Sequence, residues 1–203
     1  MIEMPRLMVD SSENDGKAEI VMDYVLSWCL RRADVICQND NKPILYRYCR
    51  NMLALLCDKD LNDSIIFRGV RVWKEDQHID LWVELIIENN GVADKHAILI
   101  ENKYYSSLHD SKDSDGCYRN QLQVYKNRFD AHYNKDSDTW IKHYNLITCI
   151  ERNDPKFSAY YDIAKSFGFK VISFYEMLGK EPEEGCYYEY TESDIFNEFW
   201  LRW

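Results

Sequence analysis

Apolar residues recur at helical spacing in two early segments and at strand spacing in the three that follow. From Lys17 to Arg32, Ile20, Tyr24, Leu26 and Leu30 fall near one helical face, with Asn14 or Asp15 as candidate N-cap, which predicts a first helix. Leu45 to Leu56 predicts a second, ended by the Asp/Asn-rich stretch from Asp58 to Asp63. Ser64 to Trp73 alternates with β-branched residues and predicts a strand. Glu75-Asp76-Gln77 is the expected turn, and His78 to Glu88 the next strand. Asn89-Asn90-Gly91 is a hairpin signal, because Asn and Gly tolerate the positive φ that a tight primed turn demands. His96 to Lys103 should therefore return antiparallel to the strand before it.

Ser106 to Gly116 is polar and without period, which predicts a flexible loop. Tyr118 to Tyr133 follows as a helix with Leu122, Tyr125 and Phe129 in one stripe. His143 to Ile150 reads as a strand, Tyr160 to Phe167 as a helix capped by Gly168, and Lys170 to Phe174 as a closing strand. Tyr175 to Leu178 begins a short helix, and Ile195 to Trp203 forms an amphipathic tail. The order α, α, β, β, β, α, β, α, β predicts an α/β fold with a mixed central sheet flanked by helices. No repeat, low-complexity tract or linker divides the chain, so residues 1–203 are expected to form one domain.

Composition narrows the class. An apolar content of 46% and aromatic content of 14% exceed what a disordered chain carries. No apolar run approaches the ~20 residues needed to span a membrane, so no membrane partner is expected. The acidic, polar N-terminus lacks a signal peptide's basic and apolar regions, and the seven cysteines form neither a CxxC pair nor a zinc-finger spacing with histidine. The thiols are expected to be reduced and mostly buried, in a cytoplasmic protein. A net charge of -10 argues against a simple nucleic-acid binder, whose surface is normally basic. It leaves room for an enzyme that gathers acids around a cation.

The chemistry concentrates in two strands, Ile79-Asp80-Leu81-Trp82-Val83-Glu84-Leu85 and Ala97-Ile98-Leu99-Ile100-Glu101-Asn102-Lys103. Alternation along a strand puts Glu101 and Lys103 on one face, and a hairpin brings Asp80 to them. Two carboxylates and an ammonium at the end of apolar strands are costly unless a divalent cation sits between the acids.

Asp80, the Glu101-Asn102-Lys103 strand end and the Gln121/Tyr125 pair on the following helix resemble the PD-(D/E)XK nuclease superfamily, whose RecB-like branches carry a Q-x-x-x-Y helix. The proline of the motif is replaced by Ile79. The similarity spans Glu19 to Phe174 by element order, and its sharp identity is confined to those three motifs. It implies a restriction-endonuclease-like core, a Mg2+ cofactor with Mn2+ as substitute, and nucleic acid, DNA ahead of RNA, as substrate. It implies catalytic roles for Asp80, Glu101, Lys103, Gln121 and Tyr125. Asp80, Glu101 and the Asn102 backbone carbonyl would hold the metal, while Lys103 would hold the attacking water and stabilise charge on the phosphate. The product ends would be 5′-phosphate and 3′-hydroxyl.

Several assignments stay open on the sequence alone. Glu19, or Asp23 one turn later, would supply a further metal ligand, or either is a solvated helix acid. Gln121 and Tyr125 would orient substrate, and Tyr125 lies equally on the apolar stripe. Tyr104 and Tyr105 would stack bases or cover the sheet end. Glu84 is expected beside the site or on the sheet surface, and His78 and His96, which flank the strands, would touch a phosphate or stand at the hairpin edge without a role. Phe199, Trp200 and Trp203 are expected to pack on the domain or on a partner subunit. The sequence leaves open a standalone enzyme, a homodimer or a subunit of a larger complex. Two readings compete with the nuclease. One is an inactive nuclease-fold protein that binds nucleic acid or protein; the other is an unrelated α/β protein in which Glu101 and Lys103 form a surface ion pair.

Overall fold

The structure, a computed structural model, describes residues 15–76, 78–103, 106–113, 115–135, 139–179 and 188–201. Tyr104, Tyr105, Cys186 and Trp203 lie outside the described residues. Two helices come first, α1 (Asp15–Arg32) and α2 (Pro43–Leu56). Three long strands follow, β1 (Ile65–Asp76), β2 (Ile79–Asn89) and β3 (Val92–Lys103). A short ribbon of β4 (Asp110–Lys112) and β5 (Tyr118–Asn120) leads into α3 (Gln121–Tyr133). Then come β6 (Trp140–Thr148), α4 (Pro155–Ser166), β7 (Lys170–Ser173), a 3-10 turn at Phe174–Leu178, and α5 (Asp194–Phe196), which runs into a π-helical turn at Asn197–Leu201.

The main sheet has the order β1-β2-β3-β6-β7. β1, β2 and β3 are successively antiparallel, while β6 and β7 run parallel to β3, so the sheet is mixed. Asn89 pairs with Val92, leaving Asn90 and Gly91 at φ 50° and 81° as the two-residue turn that the sequence predicts. Alternation on β3 sorts side chains between two cores. Ile98 and Ile100 join Met22, Leu26, Leu30, Met52 and Leu53 of α1 and α2 on one face. Ala97 and Leu99 join Leu122, Val124 and Phe129 of α3 and Phe157 of α4 on the other. The result is helices, sheet, helices in three layers.

Three local expectations change, and one open choice is decided. In α1 the buried face is Met22, Leu26, Cys29 and Leu30, while Ile20 and Tyr24 are exposed, and Tyr24 stacks under Lys74 Nζ instead. This rotation turns Glu19 and Asp23, four residues apart and so on one side of the helix, toward the ends of β2 and β3. The expected loop from Ser106 to Gly116 contains β4, whose pairing with β5 delays α3 until Gln121, where the Asn120 side chain caps the Leu122 N–H at 3.0 Å. Helix α4 starts at Pro155, five residues before the expected Tyr160, because the Asp154 carboxylate caps it by accepting from Lys156 N. Finally, Phe196, Phe199 and Trp200 of the tail are buried against Tyr48 and Phe174, so they close this chain's own core.

Candidate metal and phosphate site

The site forms where the β2–β3 ladder stops. Its last pair is Leu81 with Ile100, and one step further Asp80 stands opposite Glu101 on the face covered by α3. The strands separate there, and the Asp80 carboxylate takes the place of a backbone partner by accepting the Asn102 N–H at 2.8 Å. Because the N–H and C=O of one strand residue point to the same side, the Asn102 carbonyl also faces the Asp80 edge. Lys103, two residues beyond Glu101, reaches back to place Nζ 2.7 Å from Glu101 Oε1. Glu101 is 2% exposed and Lys103 6%, so this is no surface ion pair.

Helix α3 supplies the next contact. Gln121, its first residue, is fully buried, and its side-chain N–H donates to Glu101 Oε1. Its amide oxygen accepts the His109 N–H at 3.0 Å, and its own backbone N–H donates to the His109 carbonyl. Glu101 Oε1 thus receives both Lys103 and Gln121, while Glu101 Oε2 is buried and receives no donor, and the Glu101 carboxyl lies against that of Asp80. Tyr125, one turn on, belongs to the core packed by α3. Burial, then the Glu101 charge, raises its pKa, while a side-chain bond with Ser111 of β4 pulls the other way.

Helix α1 approaches from the opposite layer. Asp23 is buried and accepts the Asn102 side-chain amide at 2.5 Å, so Asn102 bonds Asp80 with its main chain and Asp23 with its side chain. Glu19 stands nearer the end of β3 and accepts the Ser106 hydroxyl. Glu19 does not close on Asp80 and Glu101 as a third ligand. Among the described residues, no set of three acids brings its ligand atoms within 4.8 Å. Neither Ser106 nor the Asn102 amide stood out in the sequence, since their partners lie 87 and 79 residues away.

Too little positive charge serves these acids. Burial, and then the neighbouring Asp80, pushes the Asp23 carboxyl up to about 7 despite its bond from Asn102. Burial raises Asp80 even though the Asn102 N–H and Lys103 oppose it. Burial and Asp80 raise Glu101 well above the carboxylate range against the opposing pull of Lys103. Desolvation alone would lower Lys103, but Glu101, Asp80 and Glu19 together raise it, so its ammonium stays charged. Carboxyls whose proton affinity is raised by burial and by one another, beside a carboxylate oxygen with no donor, fit a hard divalent ion with oxygen ligands.

Other expected residues lie elsewhere. His78 is exposed in the β1–β2 turn at φ 70°, and His96 is buried beside His143, away from Asp80. Glu84 accepts the Tyr133 hydroxyl at 2.9 Å, and that hydroxyl accepts the Trp82 indole N–H at 2.6 Å; this chain of bonds ties α3 to β2. No helix among the described residues is long and apolar enough to cross a membrane. The six described cysteines are free, with Cys29, Cys49, Cys57 and Cys149 buried. No family model, curated protein or solved structure matches the chain.

Proposed function

We propose that this chain is a Mg2+-dependent nuclease of the PD-(D/E)XK type, with a restriction-endonuclease-like core, that hydrolyses phosphodiester bonds of nucleic acid, DNA ahead of RNA. The observation that carries the reading is the asymmetry of Glu101. One oxygen is fixed by Lys103 and Gln121, and the other is buried without a donor on the face it shares with Asp80. The order of α1, the β1–β2–β3 antiparallel run, α3 and the parallel β6 supports the same fold.

Asp80 and Glu101 would hold the ion, with the Asn102 carbonyl beside them. Mg2+ bound there supplies Lewis-acid polarisation of the phosphate and a water of lowered pKa. Lys103 remains an ammonium, so it serves as a donor and not as a base. It orients the attacking water oxygen and offsets negative charge gathering on the phosphate. Water attacks phosphorus, the bond to the 3′ oxygen breaks and that oxygen leaves with a proton, giving 5′-phosphate and 3′-hydroxyl ends. Gln121 holds the Glu101 carboxylate in one orientation, and Asp23, through Asn102, holds the strand end against α1. Tyr125 packs α3 beside the site.

The test is cleavage of single- and double-stranded DNA and RNA with Mg2+ or Mn2+, run beside Asp80→Ala and Lys103→Ala. Metal-dependent cleavage lost in both variants supports the reading. Equal activity in both variants overturns the assignment of residues, and no cleavage by wild type with intact nucleic-acid binding favours the inactive, binding-only alternative.

A further inference from the structure

A second cluster of metal-ligand side chains lies at the other end of β3. His96 of β3 and His143 of β6 stack with ring centroids 5.2 Å apart and planes within 9°, and His96 Nδ1 lies 2.9 Å from His143 Nε2. Cys57, the residue at which α2 ends, comes over them from the α1/α2 layer. One ligand atom from each of the three lies within 4.8 Å of the others. His96 is 1% exposed and its Nε2 is buried without a partner, an uncommon state for a polar atom. Cys57 is also 1% exposed, and His143 is half-buried. Glu101 is five residues further along β3, about 16 Å at the rise of a strand, so this cluster is separate from the acid site.

We propose that Cys57, His96 and His143 form a binding site for one zinc-class divalent ion, distinct from the carboxylate site. Two nitrogens and a sulfur are the donors of zinc and not of magnesium, which takes oxygen. The spacing suits it. Ligands at zinc bond lengths in a tetrahedron stand about 3.3 Å apart for two nitrogens and about 3.6 Å for nitrogen and sulfur, spacings inside the 4.8 Å within which the three ligand atoms lie. Burial keeps both imidazoles neutral, the form that offers a lone pair. The thiol loses its proton to solvent as the sulfur–metal bond forms. Lys59 and Lys170 stand nearby and oppose a cation, while Asp58 and Asp94 favour one. Three protein ligands leave a fourth position for water, reached from the half-buried His143 side. Such an ion would pin the end of α2 to the two central strands.

The test uses the full chain stripped with chelator and titrated with Co2+, a spectroscopic stand-in for Zn2+, following the thiolate-to-cobalt charge-transfer band. One equivalent of cobalt should produce the band in wild type and in Asp80→Asn, and Zn2+ should abolish it. Cys57→Ser should lack the band, and His143→Gln, which removes a direct ligand, should weaken cobalt binding by more than the roughly hundredfold that loss of an outer-shell partner costs. Absence of the band in wild type, its persistence in Cys57→Ser, or its loss in Asp80→Asn would overturn the proposal. If Cys57→Ser does not fold, judged by its melting curve, His143→Gln decides, and unchanged affinity in that variant refutes the site.

Discussion

The backbone N–H of Asn102 donates to Asp80 Oδ2 across 2.8 Å, so the edge that would carry the next rung of the β2–β3 ladder holds a carboxylate instead. That substitution opens the hairpin end, fixes Asp80 opposite Glu101 and turns a terminus of regular structure into a site. It also ties the site to α1, because Asn102 donates from its side chain to Asp23.

The first prediction concerns metal removal and return. An ion that binds the folded chain alone stabilises it by about 2.7 kcal/mol at a hundred times its dissociation constant. Thermal melting in chelator and then in excess Mg2+ should show a rise of several degrees in wild type. Asp80→Asn and Glu101→Gln should lose the rise, and a rise retained in both places the ion elsewhere.

A second prediction is a pH slope in the metal-free protein. Asp23 titrates near 7 in the folded chain against an ordinary 3.8, so between about pH 4 and 7 the folded chain keeps a proton that the unfolded chain releases. Stability from this group is fully present below pH 4 and is lost as pH rises through 7, by at most about 4 kcal/mol. Asp80 and Glu101, also raised, add to the slope in the same direction. Asp23→Asn keeps an acceptor for Asn102 and removes the charge. Its melting temperature in chelator should exceed that of wild type at pH 8 and match it near pH 4. Equal melting temperatures at pH 8 would show that Asp23 carries no such penalty.

Gln121 is predicted to act by positioning Glu101. Gln121→Ala leaves the buried Glu101 with one donor fewer and takes the side-chain acceptor from the partly exposed His109 N–H, which should cost about 1 to 3 kcal/mol in urea unfolding. Gln121→Glu sets a second carboxylate against Glu101 and should be no better than the alanine variant when metal-free. Added Mg2+ should recover the glutamate variant more than the alanine variant. No stability loss in either would remove Gln121 from the account.

Asp34 offers a prediction independent of the site. One extra residue on β1, between Arg68 and Arg71, forms a bulge with Gly69 at φ 62°, and the Val70 N–H freed there donates to Asp34 Oδ2 at 2.8 Å. Asp34 Oδ1 also caps the Ile36 N–H at 3.1 Å. Asp34→Ala should cost about 2 to 3 kcal/mol, and Asp34→Asn, which keeps one acceptor, should cost less. Mg2+ affinity should be unchanged in both, as isothermal titration would show.

The β1–β2–β3 run was legible because its signals are local. Alternation marks each strand, and Asn90-Gly91 meets the positive φ of its turn with the residues best able to adopt it. Asp80, Glu101 and Lys103 could be placed on one face for the same reason, since the period of a strand is fixed. The α1 face was misjudged because Ile20 and Tyr24 are apolar yet exposed, and only packing against the sheet decides which side of a helix is buried. The β4–β5 ribbon was missed because three-residue strands carry no period. The Cys57/His96/His143 cluster has no sequence signature, because its members are 39 and 47 residues apart and meet only once β3 and β6 pair and α2 crosses them.

The most direct measurement is the initial rate of DNA cleavage in Mg2+ by wild type and by Lys103→Ala, with Mg2+ affinity measured on both proteins. Loss of an ammonium aimed at the reacting phosphate should lower the rate about a hundredfold or more. Because Lys103 is no ligand of the ion, Mg2+ should still bind. A Lys103→Ala variant that folds, binds Mg2+ and cleaves DNA at the wild-type rate would contradict the proposed nuclease site.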